Sequence, residues 1–212
     1  MSYFEVLVEG GSDVPTLREI LTRKFNLEED THFRIHPHKG RGKLPHNVLA
    51  QPDPKHQALL EQLPAKLRGF GRYLGDESCV LVVLDADDTP SNELLADLQA
   101  MLEQLPTRPR RVLFRLAIEE TESWFIADEN AILVAFPRAK VQRLRNVAPD
   151  AIVGAWEALA DVLKVHKHLV TGADKYAWAE AIAPHLDLDN PRSPSLQELV
   201  EGIRREIELD AA

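Results

Sequence analysis

Short apolar runs and stretches of helical spacing alternate through the first 118 residues. Tyr3 to Val8 (YFEVLV) is rich in β-branched and aromatic residues and predicts a first strand. Leu17, Ile20, Leu21 and Phe25 then recur along one face of a helix. Phe33 to His36 reads as a short second strand. His38 to Pro54 (HKGRGKLPHNVLAQPDP) reads as a long loop, because glycine and proline interrupt either periodicity. Leu59, Leu60, Leu63, Leu67 and Phe70 mark a second helix, which Pro64 is expected to kink or break. Cys79 to Leu84 (CVLVVL) is apolar without alternation, the pattern of a strand covered on both faces of a parallel sheet. Leu94, Leu95, Leu98, Met101, Leu102 and Leu105 form a third helical face, and Val112 to Ile118 (VLFRLAI) a last strand. This β-α-β-α order predicts an α/β fold with right-handed crossovers and a mostly parallel, doubly wound sheet.

Beyond Glu119 the periodicity is helical almost throughout. Trp124 and Phe125 belong to one helix, Trp156, Leu159 and Leu163 to another, and Tyr176, Trp178 and Ile182 to a third. The three tryptophans read as core. Leu196, Leu199, Val200, Ile203 and Ile207 give an amphipathic last helix with Ser193 or Ser195 as N-cap. The expected organisation is an α/β core over residues 1–118 with a helical elaboration over 119–212 packed on it as one unit.

A hydrophobic content of 44% with 28% charged residues is ordinary for a globular chain. The net charge of −9, from 25 basic and 34 acidic residues, argues against a general nucleic-acid coat, which needs a basic face. A nuclease stays open, because metal-binding carboxylates are neutralised by their cations. The single cysteine, Cys79, excludes an internal disulfide and is expected to be reduced, buried and inert. No basic segment followed by a long apolar stretch opens MSYFEVLVEGG, and no window has the length to span a bilayer. The expectation is a cytoplasmic protein without a membrane segment.

Ligands of open parallel sheets bind beyond the carboxyl ends of the strands, and three strands here end in acid. The first ends at Glu9 in VEGGSD, the central one at Asp85-Ala86-Asp87-Asp88, and the last at Glu119-Glu120-Thr121-Glu122. Carboxylates gathered at one edge repel each other unless a cation sits among them. A hard ion with oxygen ligands, Mg²⁺ or Mn²⁺, fits that need. A plainer reading stands beside each. Asp13 ahead of Val14-Pro15 and Asp88 ahead of Thr89-Pro90-Ser91 suit helix caps. Acids at 119, 120 and 122 also suit a solvated first helical turn.

A strand ending Glu9-Gly10-Gly11-Ser12-Asp13, followed tens of residues later by one ending Asp85-Ala86-Asp87, resembles the Toprim domain of topoisomerases, bacterial primases and overcoming-lysogenisation-defect type nucleases. The whole chain further resembles a small bacterial family of stand-alone Toprim-like proteins of unknown function. That likeness runs through His36-Pro37-x-x-Gly40, Glu119-x-x-Glu122-Ser123-Trp124, Lys175-x-x-Trp178-Ala179 and Ser193-Pro194-Ser195-Leu196. The resemblance implies a Rossmann-like Toprim core and a metal-dependent nuclease. Glu9 would be a metal ligand or general acid/base, and Asp85 and Asp87 would hold Mg²⁺ (or Mn²⁺). Asp13 would assist a second metal, Glu122 or Glu119 would complete the shell, and Lys175 would be a transition-state cation. It further implies nucleic acid as substrate and an ATPase partner in phage defence or DNA repair.

Lys39, Arg41 and Lys43 lie among glycines in the loop from His36 to His46. The loop reads as a phosphate clamp made with His36, or as a solvated mobile segment. It is not a Walker A loop, since Gly42-Lys43 lacks a following Ser or Thr. A zinc site is not expected from its histidines, which lack a second ligand pair. Three rival readings remain. Asp85-x-Asp87-x-Thr89 matches a haloacid-dehalogenase-type phosphatase motif, in which the first aspartate is the nucleophile. Against it, the motif follows two β-α units and no late aspartate pair ends a later strand. Leu84 to Asp88 also matches the metal motif of nucleotide-sugar transferases, for which VEGGSD is a poor first loop. The third is a non-catalytic module that binds nucleic acid or an ATPase.

Overall fold

Phe4, Val6 and Val8 alternate with Glu5 and Leu7 along the first strand, and both sets are buried. Such a strand needs cover on each face. In the computed structural model, which describes residues 3–86, 90–144 and 147–209, that cover comes from helices on the two sides of a four-stranded parallel sheet. Its strands are β1 (Tyr3–Val8), β2 (Phe33–Pro37), β3 (Ser78–Asp85) and β4 (Arg111–Ala117), in the order β2-β1-β3-β4. The expected α/β class and Rossmann-like arrangement are what the chain adopts. Its unbroken apolar β3 is central: Cys79, Leu81 and Val83 join one core, and Val80, Val82 and Leu84 the other. Cys79 is a buried free thiol, and burial pushes its pKa up.

The connections place α1 (Asp13–Glu19) on one face, and α2 (Leu59–Phe70) and α3 (Ser91–Glu103) on the other. Right-handed crossovers that run one way from β1 to β2 and the other way from β2 to β3 and from β3 to β4 require that split. Helix α1 continues as a π-helical turn over Ile20–Lys24, where the Thr22 hydroxyl donates back to the Arg18 carbonyl at 2.8 Å.

Pro64 does not break α2. The helix runs through it, and the ring is buried beside Leu60, Leu63 and Leu67. A proline there removes one ladder bond, and burial of its ring among leucines offsets the loss. In α3, Leu94, Leu98, Met101 and Leu102 are buried, whereas Leu95 is exposed; Leu105 is buried just past the helix end.

The second half forms α4 (Glu122–Ile126), α5 (Glu129–Ala135), α6 (Ala155–Leu163), α7 (Gly172–Ile182) and α8 (Pro194–Glu208), giving eight α-helices among the described residues. They have no separate core. Trp124, Phe125, Leu159, Trp178, Leu199 and Ile203 belong to the same apolar cluster as Phe4, Leu17 and Leu81. Helix α8 lies along β4. Arg115 Nε donates to the Glu198 carbonyl at 2.9 Å, and Arg111 Nη1 to that of Glu206 at 3.0 Å.

Of the two serines considered as its N-cap, Ser193 fills the role, accepting from Leu196 N at 3.2 Å. Ser195 instead accepts the indole N–H of buried Trp124 at 2.8 Å. Trp156 departs from the expected core assignment: it is half-buried at the surface of α6. Among the described residues no helix is long and apolar enough to cross a membrane.

Candidate functional site

Chain direction diverges after β1 and β3. From β1 it leaves toward β2, and from β3 toward β4, so a crevice opens between their carboxyl ends. Glu9 and Asp85 stand at its two sides. The Glu9 carboxylate accepts the backbone N–H of Asp85 through Oε1 at 2.8 Å. This bond satisfies a donor where the parallel ladder ends, and it brings together two acids 76 positions apart.

Asp13 begins α1, yet its side chain does not cap that helix. It reaches back instead, with Oδ2 accepting Gly10 N at 2.9 Å and Oδ1 accepting the Thr121 hydroxyl at 3.1 Å. The turn after β1 is thereby tied to the segment after β4. Asp13 is only 5% exposed. Burial raises its pKa, while the Gly10 and Thr121 hydrogen bonds and the Lys175 charge oppose the rise.

Glu122 opens α4 at 4% exposure. Burial raises its pKa, with Lys175 opposing. Glu120 is raised first by burial and then by Glu122. Its Oε2 accepts the Trp156 amide at 3.1 Å. Lys175 meets both glutamates, with Nζ 3.4 Å from Glu120 Oε1 and 3.5 Å from Glu122 Oε1. The same ammonium lies 5.0 Å from the centre of the Trp156 ring, a cation–π contact. Burial disfavours its charge, but Glu122 and Glu120 outweigh burial and hold its pKa above the usual lysine value.

Asp85 collects the consequences. Burial pushes its pKa well above the carboxylate range, and Asp13, Glu9, Glu122 and Glu120 each add to the rise.

The basic loop contributes through one residue. Gly40 N donates to the Glu9 carbonyl at 2.9 Å, and Leu60 N, in the first turn of α2, donates to the Arg41 carbonyl at 2.8 Å. Between those anchors the Arg41 guanidinium turns over the end of β3, donating through Nη1 to the carbonyls of Asp85 (3.1 Å) and Ala86 (2.9 Å). Gly42 follows at φ +66°, where an added Cβ would stand 2.6 Å from that of Ala58, so only glycine fits the turn.

Lys39 and Lys43 are exposed, and Lys43 borders a separate cleft with His46, Asp53 and His56. His36 is committed elsewhere, 2.5 Å from buried Glu5. The structure therefore brings Glu9, Asp13, Asp85, Glu122, Lys175 and Arg41 to one edge, and leaves His36, Lys39 and Lys43 apart. Glu119, at φ +65°, turns its Oε2 to Gly154 N at 2.9 Å. Its neighbour Glu120 is the one that faces Lys175. An open cleft of about 410 Å³ adjoins this edge, lined by Arg41, Glu119, Glu120, Val153, Trp156 and Glu157. Asp87 lies outside the described residues, as do Asp88 and Thr89.

Hard oxygen donors gathered at one edge, with the Asp85 pKa raised by burial and then by its acidic neighbours, and with Lys175 paired to Glu120 and Glu122, are of the donor type a divalent ion takes. Among the described residues no three such groups already surround a single point. Mg²⁺ does not require that: it keeps several waters and takes one or two carboxylates, with substrate oxygens filling its octahedron. Glu9 and Asp85 place two carboxyl-bearing residues at this edge.

Residues 8–204 match the family model described as "Domain of unknown function (DUF4276)", and the chain belongs to that family. The matched span contains Glu9, Asp13, Asp85, Glu119, Glu120 and Glu122. No curated protein and no solved structure matches the chain.

Proposed function

We propose that this protein is a Mg²⁺- or Mn²⁺-dependent phosphodiesterase of the Toprim type that acts on nucleic acid. The observation that carries the reading is the 2.8 Å bond between the Glu9 carboxylate and the Asp85 backbone. It brings the two acids of the Glu-Gly-x-x-Asp and Asp-x-Asp segments to a single crevice at the switch point of the sheet. The rise in the Asp85 pKa, to which Asp13, Glu9, Glu122 and Glu120 contribute, supports the same reading. Such crowding is unfavourable without a cation and is relieved by one.

In this reading Asp85 holds the ion, together with Asp87. A bound divalent ion supplies Lewis acidity toward a phosphoryl oxygen and lowers the pKa of water in its shell. Glu9, oriented by the Asp85 N–H, holds or moves the proton at the scissile phosphoester oxygen. Arg41 places a positive charge over the end of β3, where a phosphate arriving from the adjoining cleft meets it. Buried Asp13 and its Thr121 bond keep the turn after β1 in register with α4.

The test is nicking of supercoiled plasmid and digestion of single-stranded DNA and RNA in Mg²⁺ or Mn²⁺. The full chain is compared with Glu9→Gln and Asp85→Asn. The expected outcome is metal-dependent cleavage that falls about 100-fold or more in each variant. Cleavage that survives both substitutions rejects the reading. So does hydrolysis confined to small phosphomonoesters through a phosphorylated Asp85.

A further inference from the structure

We propose that the cleft beside the acidic edge seats one unpaired nucleobase of the substrate, stacked on Trp156, so that the enzyme prefers single-stranded nucleic acid to an intact duplex. The inference rests on the nuclease reading above and adds the form of the substrate.

Of the three tryptophans, Trp124 and Trp178 are 1% and 6% exposed and belong to the core. Trp156 is the exception. It is half-buried at the start of α6 and lines the cleft of about 410 Å³ together with Arg41, Glu119, Glu120, Val153 and Glu157. A void of that size falls in the range of small-ligand sites, about 300–1,000 Å³. Three contacts hold this segment before any ligand arrives. Gly154 N donates to Glu119 Oε2 at 2.9 Å, and Trp156 N donates to Glu120 Oε2 at 3.1 Å. The Lys175 ammonium stands over the ring, 5.0 Å from its centre. A ring held in this way loses little freedom on stacking. Val153 adds an apolar side to the same lining, and it is 81% exposed.

The chemistry of the lining selects a base over a phosphate. Three of its side chains, Glu119, Glu120 and Glu157, are acids, and they oppose the charged backbone away from Arg41. A nucleobase is uncharged. Its faces stack on an aromatic ring, and its edge presents N–H donors that carboxylate oxygens accept. Those faces and edges are free in an unpaired strand. Inside a duplex each base is paired and covered by its neighbours, and withdrawing it costs unpairing and unstacking energy.

The cleft shares its walls with the acidic edge. Glu120 pairs with Lys175, which also meets Glu122. Arg41 donates to the carbonyls of Asp85 and Ala86. A strand with one base on Trp156 therefore has its phosphodiester to offer to Arg41 and the strand ends.

The experiment measures binding to the full chain in Ca²⁺, by fluorescence anisotropy, of a labelled single-stranded DNA, an RNA of the same sequence and the blunt DNA duplex. Either single strand is expected to bind at least about tenfold tighter than the duplex. Trp156→Ala should weaken single-strand binding about 5- to 150-fold, and Trp156→Phe less than about threefold. Val153→Asp, at an exposed position, should weaken it as well, which keeps the test decisive if Trp156→Ala does not fold by circular dichroism. Intrinsic fluorescence gives a second readout. The single strand should quench the tryptophan emission of wild type and leave that of Trp156→Phe unchanged. Equal affinity for strand and duplex, unchanged affinity in folded Trp156→Ala, or quenching that survives Trp156→Phe overturns the inference. Metal-dependent cleavage alongside any of these leaves the nuclease reading standing. Trp156-dependent binding without metal-dependent cleavage rejects that reading and retains the cleft. No binding of any of the three probes overturns both.

Discussion

Glu9 and Asp85 are joined side chain to backbone, with Glu9 Oε1 accepting Asp85 N at 2.8 Å. The carboxylate thus serves as a structural acceptor as well as a candidate ligand, and substitutions separate the two roles. Glu9→Gln keeps an acceptor oxygen at the same reach and removes the charge. Glu9→Ala leaves the Asp85 N–H without this partner, at a cost of about 1–3 kcal/mol. In chelator, Glu9→Ala is expected to melt about 2–12 °C below wild type, taking about 2–4 °C per kcal/mol for a chain of this size. Glu9→Gln should melt at or above wild type, because it removes one charge from a crowded set. Both should lose Mn²⁺ affinity. A normal melting point for Glu9→Ala would show that the bond contributes nothing to stability.

The raised carboxylates make a pH prediction with a definite sign. Asp85, Asp13, Glu122 and Glu120 all have folded pKa values above their ordinary ones. Between the unfolded values, about 4, and the raised folded values, the native state binds more protons than the unfolded chain. Stability must therefore fall as pH rises through that window. Burial lowers the His38 pKa, which opposes this trend below about pH 6.5, so metal-free protein is expected to gain melting temperature as the pH is lowered from about 8 toward 6.5. Saturating Mg²⁺ should raise the melting temperature most at the alkaline end, which flattens the dependence. A metal-free profile that declines on acidification from about pH 8 to about 6.5 would contradict these shifts.

Fold class was legible because β3 is apolar at every position from Cys79 to Leu84, a pattern that only a doubly covered strand sustains. The acids at the strand ends were legible for a related reason: the switch point follows from topology. Other features depended on contacts that no local pattern carries. Pro64 looks like a breaker in sequence, yet its ring packs among leucines and the helix loses one bond. Glu119 and Glu120 are adjacent and chemically alike. The positive φ at Glu119 sends one to Gly154 and the other to Lys175. Trp156 has core-like spacing, but its place beneath Lys175 depends on a helix that begins 16 residues later.

Arg41 is the basic loop residue that reaches the strand ends. Lys39 and Lys43 are exposed, and Lys43 borders another cleft. Arg41→Ala should therefore weaken binding of an oligonucleotide, measured in Ca²⁺ by fluorescence anisotropy, by about tenfold, and reduce the salt slope by about 1. Lys39→Ala and Lys43→Ala should each change affinity less than about threefold. Equal losses from all three would mean that the loop acts as a diffuse basic surface, and the specific placement of Arg41 would lose its meaning.

Ser195 tests how firmly the helical half holds the site. Its hydroxyl accepts the indole N–H of Trp124, which is 1% exposed and lies two residues beyond Glu122 in α4. Its backbone N–H is bound by Asp150 Oδ2 at 2.7 Å, so the N-terminus of α8, α4 and the segment ahead of α6 meet at one buried point. Ser195→Ala leaves the Asp150 bond in place and strands the indole donor, at a cost of about 1–3 kcal/mol. Urea denaturation should show that loss with an unchanged m-value. The Asp13–Thr121 bond and the Lys175 pairs position Glu122 independently of Ser195. Mn²⁺ affinity should accordingly stay within about threefold of wild type. A parallel fall in affinity would show that Trp124 sets the orientation of α4, and that the acidic edge depends on α8 as much as on the sheet.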